Sequence, residues 1–401
     1  MSKFLRILTI ALITMIGVTV LAAISSRVSS NDYIEYWSAG KLFLHGDNPY
    51  SSPMTLALEK SRGFIPNDPL IMPNPPWTML LVAPLGLCSS LVGLVLWILA
   101  TTGCIVASIY LIEVPPKYRI LAFLFAPVLS TFSMQQSSPF LLLGFSLFLR
   151  FHRSRPFLAG ASLGLMTIKP HLFLIFWVVL VADCLYRRRS TLLVGLASAL
   201  VSSSAAVTMV VPHIWRDYFV MIRGAGYGQY LYPTLPILFR ILINPKIVWL
   251  ALLPSCMAVV WGLVYYWTNR SNWDWKSQGM PVMLITILTS PYGWISDQVV
   301  LLPAMASGVS SSRRKFSLEI LTCVNLAALF VITISSRLSI WLPVAWLAWY
   351  LYAIRPGEHR DSRGDELTNV SRRTSAYSSL ARSRILKNVQ LGGREHSKVC
   401  G

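Results

Sequence analysis

Two acidic residues, Asp32 and Glu35, follow the first apolar stretch of the chain at a spacing of three positions. A carboxylate held at the outer mouth of a membrane cavity could take a proton from the hydroxyl group of an acceptor, as a general base does. The same spacing is that of a capping box, in which both side chains satisfy free N–H groups at a helix start. Because that motif is common, the spacing alone favours the cap.

A lysine, Lys169, lies between two apolar segments and is followed directly by Pro170 and His171. Ionisable side chains at membrane depth are costly and usually face an interior cavity. Proline breaks the helix and frees backbone groups, which favours a cation that lines a cavity and binds a lipid-linked phosphate or pyrophosphate. The alternative is a lysine that reaches from a helix end to the membrane interface.

A polar and aromatic segment, residues 289–298, separates two apolar runs and contains Tyr292, Trp294 and Asp297. Aromatic side chains beside a carboxylate and an amide make a usual sugar-binding surface. Asp297 could equally cap the helix that follows, and the aromatic residues could belong to the interfacial belt of a membrane protein. The sequence leaves both interpretations open.

The composition indicates that these residues belong to a membrane protein. Hydrophobic residues make up 54% of the 401 positions and charged residues 13%, with a mean hydropathy of +0.57. Ordinary soluble proteins carry about 25% charged residues. We therefore predict an all-α integral membrane protein that spans the bilayer several times.

Transmembrane segments follow from the length of the apolar runs, since a crossing helix needs roughly 20 apolar residues. The runs predict about ten to twelve crossings. Residues 157–168 and 172–186 are short enough to be the two halves of one broken helix or two tilted half-spans. The candidate segments are 4–24, 91–112, 120–134, 139–151, 157–168, 172–186, 191–211, 247–267, 280–289, 299–309, 317–335 and 340–354.

The distribution of Lys and Arg predicts the orientation, because short basic loops stay in the cytoplasm. Basic clusters near residues 3–6, 117–119, 152–155, 187–189, 270–276 and 313–315 then lie on the cytoplasmic side. The Asp32 loop, Lys169 and Asp297 lie on the outer face. This predicts a cell (inner) membrane protein whose active site is extracytoplasmic.

The formal charge of +19 does not indicate a nucleic-acid partner. Much of the excess lies in the predicted cytoplasmic loops and in residues 356–401, whose Ser, Gly, Thr and Arg cannot bury a core. We predict two regions: a transmembrane catalytic domain, 1–355, and a basic, disordered cytoplasmic tail, 356–401. The tail could rest on membrane lipids.

The segment from Asn31 to Leu44 is predicted to be a surface helix. Its apolar residues Tyr33, Tyr36, Trp37 and Leu44 have the spacing of an amphipathic helix that lies along the membrane surface. Gly46 and Pro49 then end the helix, with the glycine in a left-handed conformation. Asp32 would thus open a helix on the outer face.

Other classes of membrane protein were weighed against an enzyme. The chain has no P-loop, no GxGxxG that opens a helix and no HExxH. A transporter or lipid flippase would also have broken helices and a buried lysine, but it would show an internal repeat, and none is visible. A structural subunit would leave three costly charges unexplained. A polymerase or ligase of lipid-linked glycans is the closest enzymatic alternative.

The ordered motifs resemble one family. They are Asp32 with Tyr36 and the Gly46-Asp47-Asn48-Pro49-Tyr50 turn, the proline-rich residues 72–77, Gln135-Gln136-Ser137-Ser138, Lys169-Pro170, and Ser290-Pro291 with Trp294. This order is similar to that of family 87 of the glycosyltransferases, the polyprenol-phosphate-mannose-dependent mannosyltransferases of the GT-C class. The resemblance covers most of residues 1–310.

The resemblance implies a GT-C-type helical bundle that moves mannose from a polyprenyl phosphate to a lipid or glycan acceptor, with inversion. The family's catalytic carboxylate matches Asp32, which reverses the preference for a cap. Lys169, helped by His171 or Arg223, would bind the donor phosphate. No cofactor or metal is implied. The expected substrate-binding residues are Tyr36, Gln136, Tyr292, Trp294 and Asp297.

Two departures from the family pattern concern residues of this site. The usual Gly-Gln pair is Gln135-Gln136 here, and some members carry histidine after the Ser-Pro motif where this chain has Ser296-Asp297. The second departure bears on the acceptor and the sugar more than on the reaction class.

Overall fold

The computed structural model describes residues 32–225, 232–312, 314–334 and 336–355. The predicted first span, 4–24, and the predicted tail, 356–401, lie outside the described residues. All regular elements of the described part are helical, which confirms the predicted fold class. The boundary between the two predicted regions stays a prediction.

Seventeen α-helices follow one another in the described residues. They are α1 (Tyr33–Leu44), α2 (Ser52–Lys60), α3 (Met79–Gly86), α4 (Ser90–Leu111), α5 (Arg119–Phe123), α6 (Ala126–Met134), α7 (Ser138–Phe151), α8 (Pro156–Leu163), α9 (Leu174–Tyr186), α10 (Ser190–Val210), α11 (Ile214–Gly224), α12 (Leu235–Ile243), α13 (Leu253–Asn269), α14 (Gly279–Leu288), α15 (Leu302–Ser311), α16 (Ser317–Ile334) and α17 (Leu342–Ile354). Short 3-10 helices continue several of them, among them Gly164–Ile168, Pro170–Phe173 and Ile295–Leu301.

Three helical stretches of the described residues are long and apolar enough to cross a membrane. They are Ser90–Leu111, Ser190–Val210 and Val248–Asn272. A fourth candidate is the pair Pro156–Ile168 and Pro170–Tyr186, bent by 118°. The chain therefore breaks between the two predicted segments, and whether they form one broken span or two half-spans stays a prediction. The predicted total of ten to twelve crossings stays a prediction, because the other apolar helices are shorter than a full span.

The break at Lys169 has a local cause. Pro170 has no backbone N–H, and it pushes the residue before it out of the helical region. Lys169 accordingly has φ −131° and ψ 70°. The chain therefore bends at the lysine, which lies between the two halves of the pair.

Helix α1 is buried, so the prediction of an amphipathic surface helix is wrong. Nine of its twelve residues are buried. The face opposite Tyr36 and Trp37 is also apolar or small, and a helix that is apolar all round belongs in the interior. Gly40 lies so close to α3 that a Cβ there would overlap the carbonyl of Val82. The predicted left-handed turn at Gly46 is confirmed, with φ +76°.

The described helix with the clearest amphipathic pattern is α11. Ile214 is buried, whereas Phe219 and Val220 are 51% and 64% exposed. Arg216 and Arg223 are exposed on the same helix. This pattern is typical of a helix at a membrane interface.

Helices α8 and α10 cross in close contact through two glycines. A Cβ on Gly160 would overlap the carbonyl of Leu192, and one on Gly195 would overlap the carbonyl of Phe157. Small residues let membrane helices approach closely in this way. The crossing fixes α8, which leads through Gly164–Ile168 to the lysine at the bend.

We expect Gly160→Ala to lower the melting temperature of the protein in detergent. The added methyl group must push α8 and α10 apart, and overpacking of this kind costs about 1–3 kcal/mol. Gly103→Ala is the control, because a Cβ at the exposed Gly103 would meet nothing within 4 Å. Equal melting of the two variants would show that the α8–α10 crossing is looser than described.

The basic loops predicted to lie on one side of the membrane contact one another. Arg153 Nη2 lies 2.7 Å from Asp274 Oδ1, and Arg187 Nη2 donates to the carbonyl of Trp273 at 3.0 Å. Arg187 also pairs with the buried Asp183 at 2.8 Å. Three of the predicted cytoplasmic clusters therefore meet at one place, and their side of the membrane stays a prediction.

Candidate functional site

A cavity of about 370 Å³ is lined by residues from widely separated parts of the chain. Seven of the nine predicted site residues line it. The full lining is Asp32, Glu35, Tyr36, Pro73, Asn74, Pro75, Gln136, Ile168, Lys169, Pro170, His171, Tyr218, Ile222, Tyr292 and Trp294.

Asp32 lies directly before α1 and does not cap it. Its side chain makes no hydrogen bond to the backbone of the helix start. The carboxylate instead accepts a hydrogen bond from Gln136 Nε2. The capping interpretation of Asp32 is therefore wrong, and the carboxylate faces the cavity.

Burial raises the pKa of the Asp32 carboxyl above its ordinary value of 3.8. The positive charge of Lys169 and the hydrogen bond from Gln136 oppose this shift, and the charge of Asp297 adds to it. A carboxylate with a raised pKa is a stronger base at neutral pH than an exposed one. Asp32 thus combines access to the cavity with increased basicity.

Gln136 reaches the cavity because α6 ends abruptly before it. Gln135 adopts a left-handed conformation with φ 57°, and its carbonyl accepts a hydrogen bond from Trp97 Nε1 at 2.8 Å. The side-chain amide of Gln136 donates to Asp32 and accepts from Lys169 Nζ at 2.8 Å. One amide group thus joins the acid to the cation.

Lys169 is only 6% exposed and does not extend to the membrane interface. Its ammonium donates to Gln136 Oε1 and, at 2.7 Å, to Asp297 Oδ1. Lysine has three N–H donors. These two bonds leave one donor for a ligand in the cavity.

Asp297 lies behind Lys169 and is not part of the cavity lining. It is 1% exposed, and its Oδ1 also accepts from Ser138 Oγ at 2.6 Å. Its Oδ2 accepts from the backbone N–H of Trp294 at 3.0 Å, so the predicted cap at this helix start does exist. The carboxylate holds the lysine, and the predicted contact of Asp297 with substrate stays a prediction.

Aromatic rings form one side of the cavity. The His171 and Tyr292 ring centroids are 4.7 Å apart, and Tyr232 lies 4.1 Å from Tyr292 and 5.7 Å from Trp294. The rings pack edge to face, an arrangement that keeps each ring in place. Tyr292 and Trp294 thus present fixed aromatic surfaces beside the charged groups.

The proline-rich segment contributes another side. Asn74 Nδ2 donates to the carbonyl of Ile168 at 3.0 Å, directly before the break at Lys169. The Tyr50 hydroxyl donates to the carbonyl of Asn74 at 3.0 Å. Asn74 therefore supplies a hydrogen-bond donor to the Ile168 carbonyl, which the broken helix leaves without a backbone donor.

Arg223 does not line the cavity. Its neighbours Tyr218 and Ile222 on α11 do, while Arg223 is exposed. In a helix, residues one position apart point in different directions. The predicted contact of Arg223 with the donor phosphate stays a prediction.

Eight residues of the cavity lining were not among the predicted site residues, and four of the eight are neither prolines nor direct neighbours of Lys169. They are Glu35, Asn74, Tyr218 and Ile222. Glu35 was considered as part of a capping box and as an alternative base but not as a binding residue, and Asn74 lies within the proline-rich motif. Tyr218 and Ile222 carry no motif, and the amphipathic pattern of α11 was their one available signal.

The chemistry available at this site is that of a base, a fixed cation and an aromatic surface. Among residues 32–355 with their described gaps, no group of three or more His, Cys, Asp or Glu side chains is placed to hold a metal ion. The base can deprotonate a hydroxyl group, and the cation can stabilise a leaving anion.

Comparison with protein families gives one match. The model of glycosyltransferase family 87 matches residues 73–291, more than half of the chain. The matched region contains Gln136, Lys169 and His171, whereas Asp32 and Asp297 lie outside it. Comparison with curated proteins and with solved structures gives no match.

Proposed function

The chain belongs to glycosyltransferase family 87 and is a membrane glycosyltransferase, and we propose from this premise that it uses a polyprenyl-phosphate sugar as donor. The sugar is a hexose, mannose by the resemblance of the motifs. A lipid or a glycan is the acceptor. The active site faces the outer side of the cell membrane, opposite the basic loops.

The arrangement of Asp32, Gln136 and Lys169 carries this proposal. A base and a cation lie at the two ends of one amide and line one cavity. Transfer from a phosphate carrier needs both groups, one for the acceptor hydroxyl and one for the leaving phosphate. The cavity of about 370 Å³ falls in the range that holds small ligands.

The proposed reaction is a single displacement. Asp32 takes the proton of the acceptor hydroxyl while the acceptor oxygen forms a bond to the anomeric carbon of the sugar. The bond between that carbon and the phosphate oxygen breaks, and its electron pair stays on the phosphate. Lys169 stabilises the added negative charge. Attack from the face opposite the phosphate inverts the anomeric configuration.

The aromatic side of the cavity supports binding of a sugar. The C–H faces of a hexose are apolar, and Tyr292 and Trp294 offer rings beside the base and the cation. Binding energy from such contacts orients the reacting atoms. The lipid part of the donor would stay in the bilayer.

The direct test uses the purified protein in lipid vesicles. The assay supplies a radiolabelled polyprenyl-phosphate mannose and a pool of membrane-lipid acceptors. We expect a labelled product with the wild type and at least about 100-fold less with Asp32→Asn. Labelled product only from a pyrophosphate-linked glycan would indicate the polymerase or ligase alternative, and movement of the lipid without product would indicate a transporter.

The pKa of Asp32 predicts how transfer depends on pH. The base must be ionised, so kcat/KM should fall as the pH drops through a pKa that burial has raised above 3.8. Gln136→Leu removes a hydrogen bond that favours the ionised form. We expect this variant to move the acidic limb to higher pH. The pH profiles of both proteins measure the shift, and identical acidic limbs would contradict it.

A further inference from the structure

A second carboxyl group, that of Glu35, lines the same cavity as Asp32. Glu35 lies three residues further along the chain, in the first turn of α1. No ion pair of the described residues includes it. The nearby Lys169 already pairs with Asp297 at 2.7 Å. Glu35 is therefore an acid in the site without a cation of its own.

The charged groups around Glu35 are mostly acidic. Asp32 precedes it on the same segment, and Glu59 of α2 adds a second negative charge. Lys169, at the helix break, is the cation that acts on Glu35. The Tyr36 hydroxyl donates to Ser137 Oγ at 3.4 Å and lies close enough to Glu35 to lower the pKa of its carboxyl group.

Aromatic side chains also lie near Glu35. Tyr292 lines the same cavity, and the charge of Glu35 acts on its hydroxyl group. His171 packs edge to face on Tyr292. With every acid ionised, Asp32, Glu35 and Asp297 would set three negative charges against Lys169. Carboxylates that share a partly buried site cannot all ionise near neutral pH.

We propose that Glu35 is a neutral carboxylic acid in the resting enzyme and donates its proton in a hydrogen bond to the phosphate of the sugar donor. This proposal rests on the proposed function. Burial raises the pKa of the Glu35 carboxyl well above its usual range, and Asp32 raises it further, against Lys169 and Tyr36. Asp32 differs because the Gln136 amide favours its ionised form.

A neutral Glu35 makes the site compatible with an anionic donor. An ionised Glu35 would repel the phosphate, whereas the protonated group offers it a charge-assisted hydrogen bond. The proton stays on Glu35 throughout, and the hydrogen bond strengthens as the leaving phosphate gains charge. Lys169 and Glu35 would thus contact the phosphate as two donors of different kind.

Two variants separate the neutral from the ionised form. Glu35→Gln has nearly the same shape, is neutral at every pH and keeps N–H donors, so we expect it to lose far less transfer at neutral pH than Glu35→Leu. Glu35→Leu has no donor, and we expect its KM for the donor to rise about 10- to 100-fold, as for the loss of a hydrogen bond to a charged group.

The alkaline side of the pH profile gives a second readout. The wild type should lose affinity for the donor as Glu35 ionises, and Glu35→Gln should not. A Glu35→Gln variant as inactive as Asp32→Asn would overturn the proposal, because Glu35 would then act as an anion. A Glu35→Leu variant with unchanged donor KM would overturn it as well.

Two measurements do not depend on sugar transfer. Infrared difference spectra of the wild type and Glu35→Gln, without donor at neutral pH, should show the carbonyl band of a protonated carboxyl group in the wild type alone. Binding of a short polyprenyl phosphate in detergent should be retained by Glu35→Gln and weakened in Glu35→Leu. Absence of the band, or equal binding by both variants, would overturn the proposal even if transfer is confirmed. If both results appear without transfer, the proposed function fails while the role of Glu35 stands.

Discussion

Replacing Asp32 by asparagine is expected to reduce sugar transfer by about 10²- to 10⁴-fold, the usual contribution of a general base. Asparagine has nearly the same shape as aspartate but cannot accept a proton. Its side-chain oxygen can still accept the hydrogen bond that Gln136 Nε2 gives to Asp32. Because Asp32 makes no side-chain cap to α1, the helix should form as before.

The controls for Asp32→Asn are the same substitution at another aspartate and two measurements that report on the folded state. Asp68→Asn makes the same chemical change at an exposed position outside the cavity, and it should transfer sugar like the wild type. The melting temperature in detergent and donor binding should be unchanged in both variants. Near-normal turnover by Asp32→Asn would mean that the base is another acid, with Glu35 the first to test.

Replacing Lys169 by methionine is expected to damage both folding and donor use. The change leaves Asp297 as a buried carboxylate without its partner, and breaking a buried pair in this way costs about 3–5 kcal/mol. Loss of the cation should also weaken transition-state binding of the donor by about 1.5–3 kcal/mol, the range for hydrogen bonds to charged groups. Acceptor use should change less.

A double variant separates these two effects. Asp297→Asn in the Lys169→Met background removes the uncompensated charge, so the double variant should be more stable than Lys169→Met alone and still transfer poorly. The matched control is Arg150→Met, which breaks the 3.0 Å pair with Glu113 between largely exposed side chains. Exposed pairs contribute about 1 kcal/mol or less. Equal loss of stability in Lys169→Met and Arg150→Met would show that the buried pair contributes no more to stability than the exposed one.

The sequence predicted the parts of the site better than their arrangement. Asp32, Lys169 and the Tyr292–Trp294 segment each have a local signal: a carboxylate after an apolar run, a charge at membrane depth, and aromatic residues between two spans. Proline after lysine also predicted the 118° bend, because its effect on the backbone is local. These features need no knowledge of distant neighbours.

The position of Asp297 behind Lys169 could not be predicted from such local signals. Whether a carboxylate faces a cavity or lies behind a lysine depends on where α7 and the bend at Lys169 meet, and Ser138 and Lys169 are distant in the chain. The choice between cap and base at Asp32 also depended on a distant partner, Gln136.

The amphipathic assignment of α1 failed for a related reason. The apolar spacing of α1 gave one face correctly, but the small residues on its other face are buried against α3 by the close approach at Gly40. The pattern of α11 is stronger, yet its cavity face is recognised only when the cavity is known.

The Gln136 side chain has two unlike ends, and this makes the site directional. The N–H end donates to Asp32 and the oxygen end accepts from Lys169. Hydrogen bonds to charged groups are the stronger ones, so both bonds are strongest when the acid is ionised and the amine is protonated. Movement of a proton from the lysine to the aspartate would weaken both bonds at once. Gln136 thus favours the active protonation states of the base and the cation before any substrate arrives.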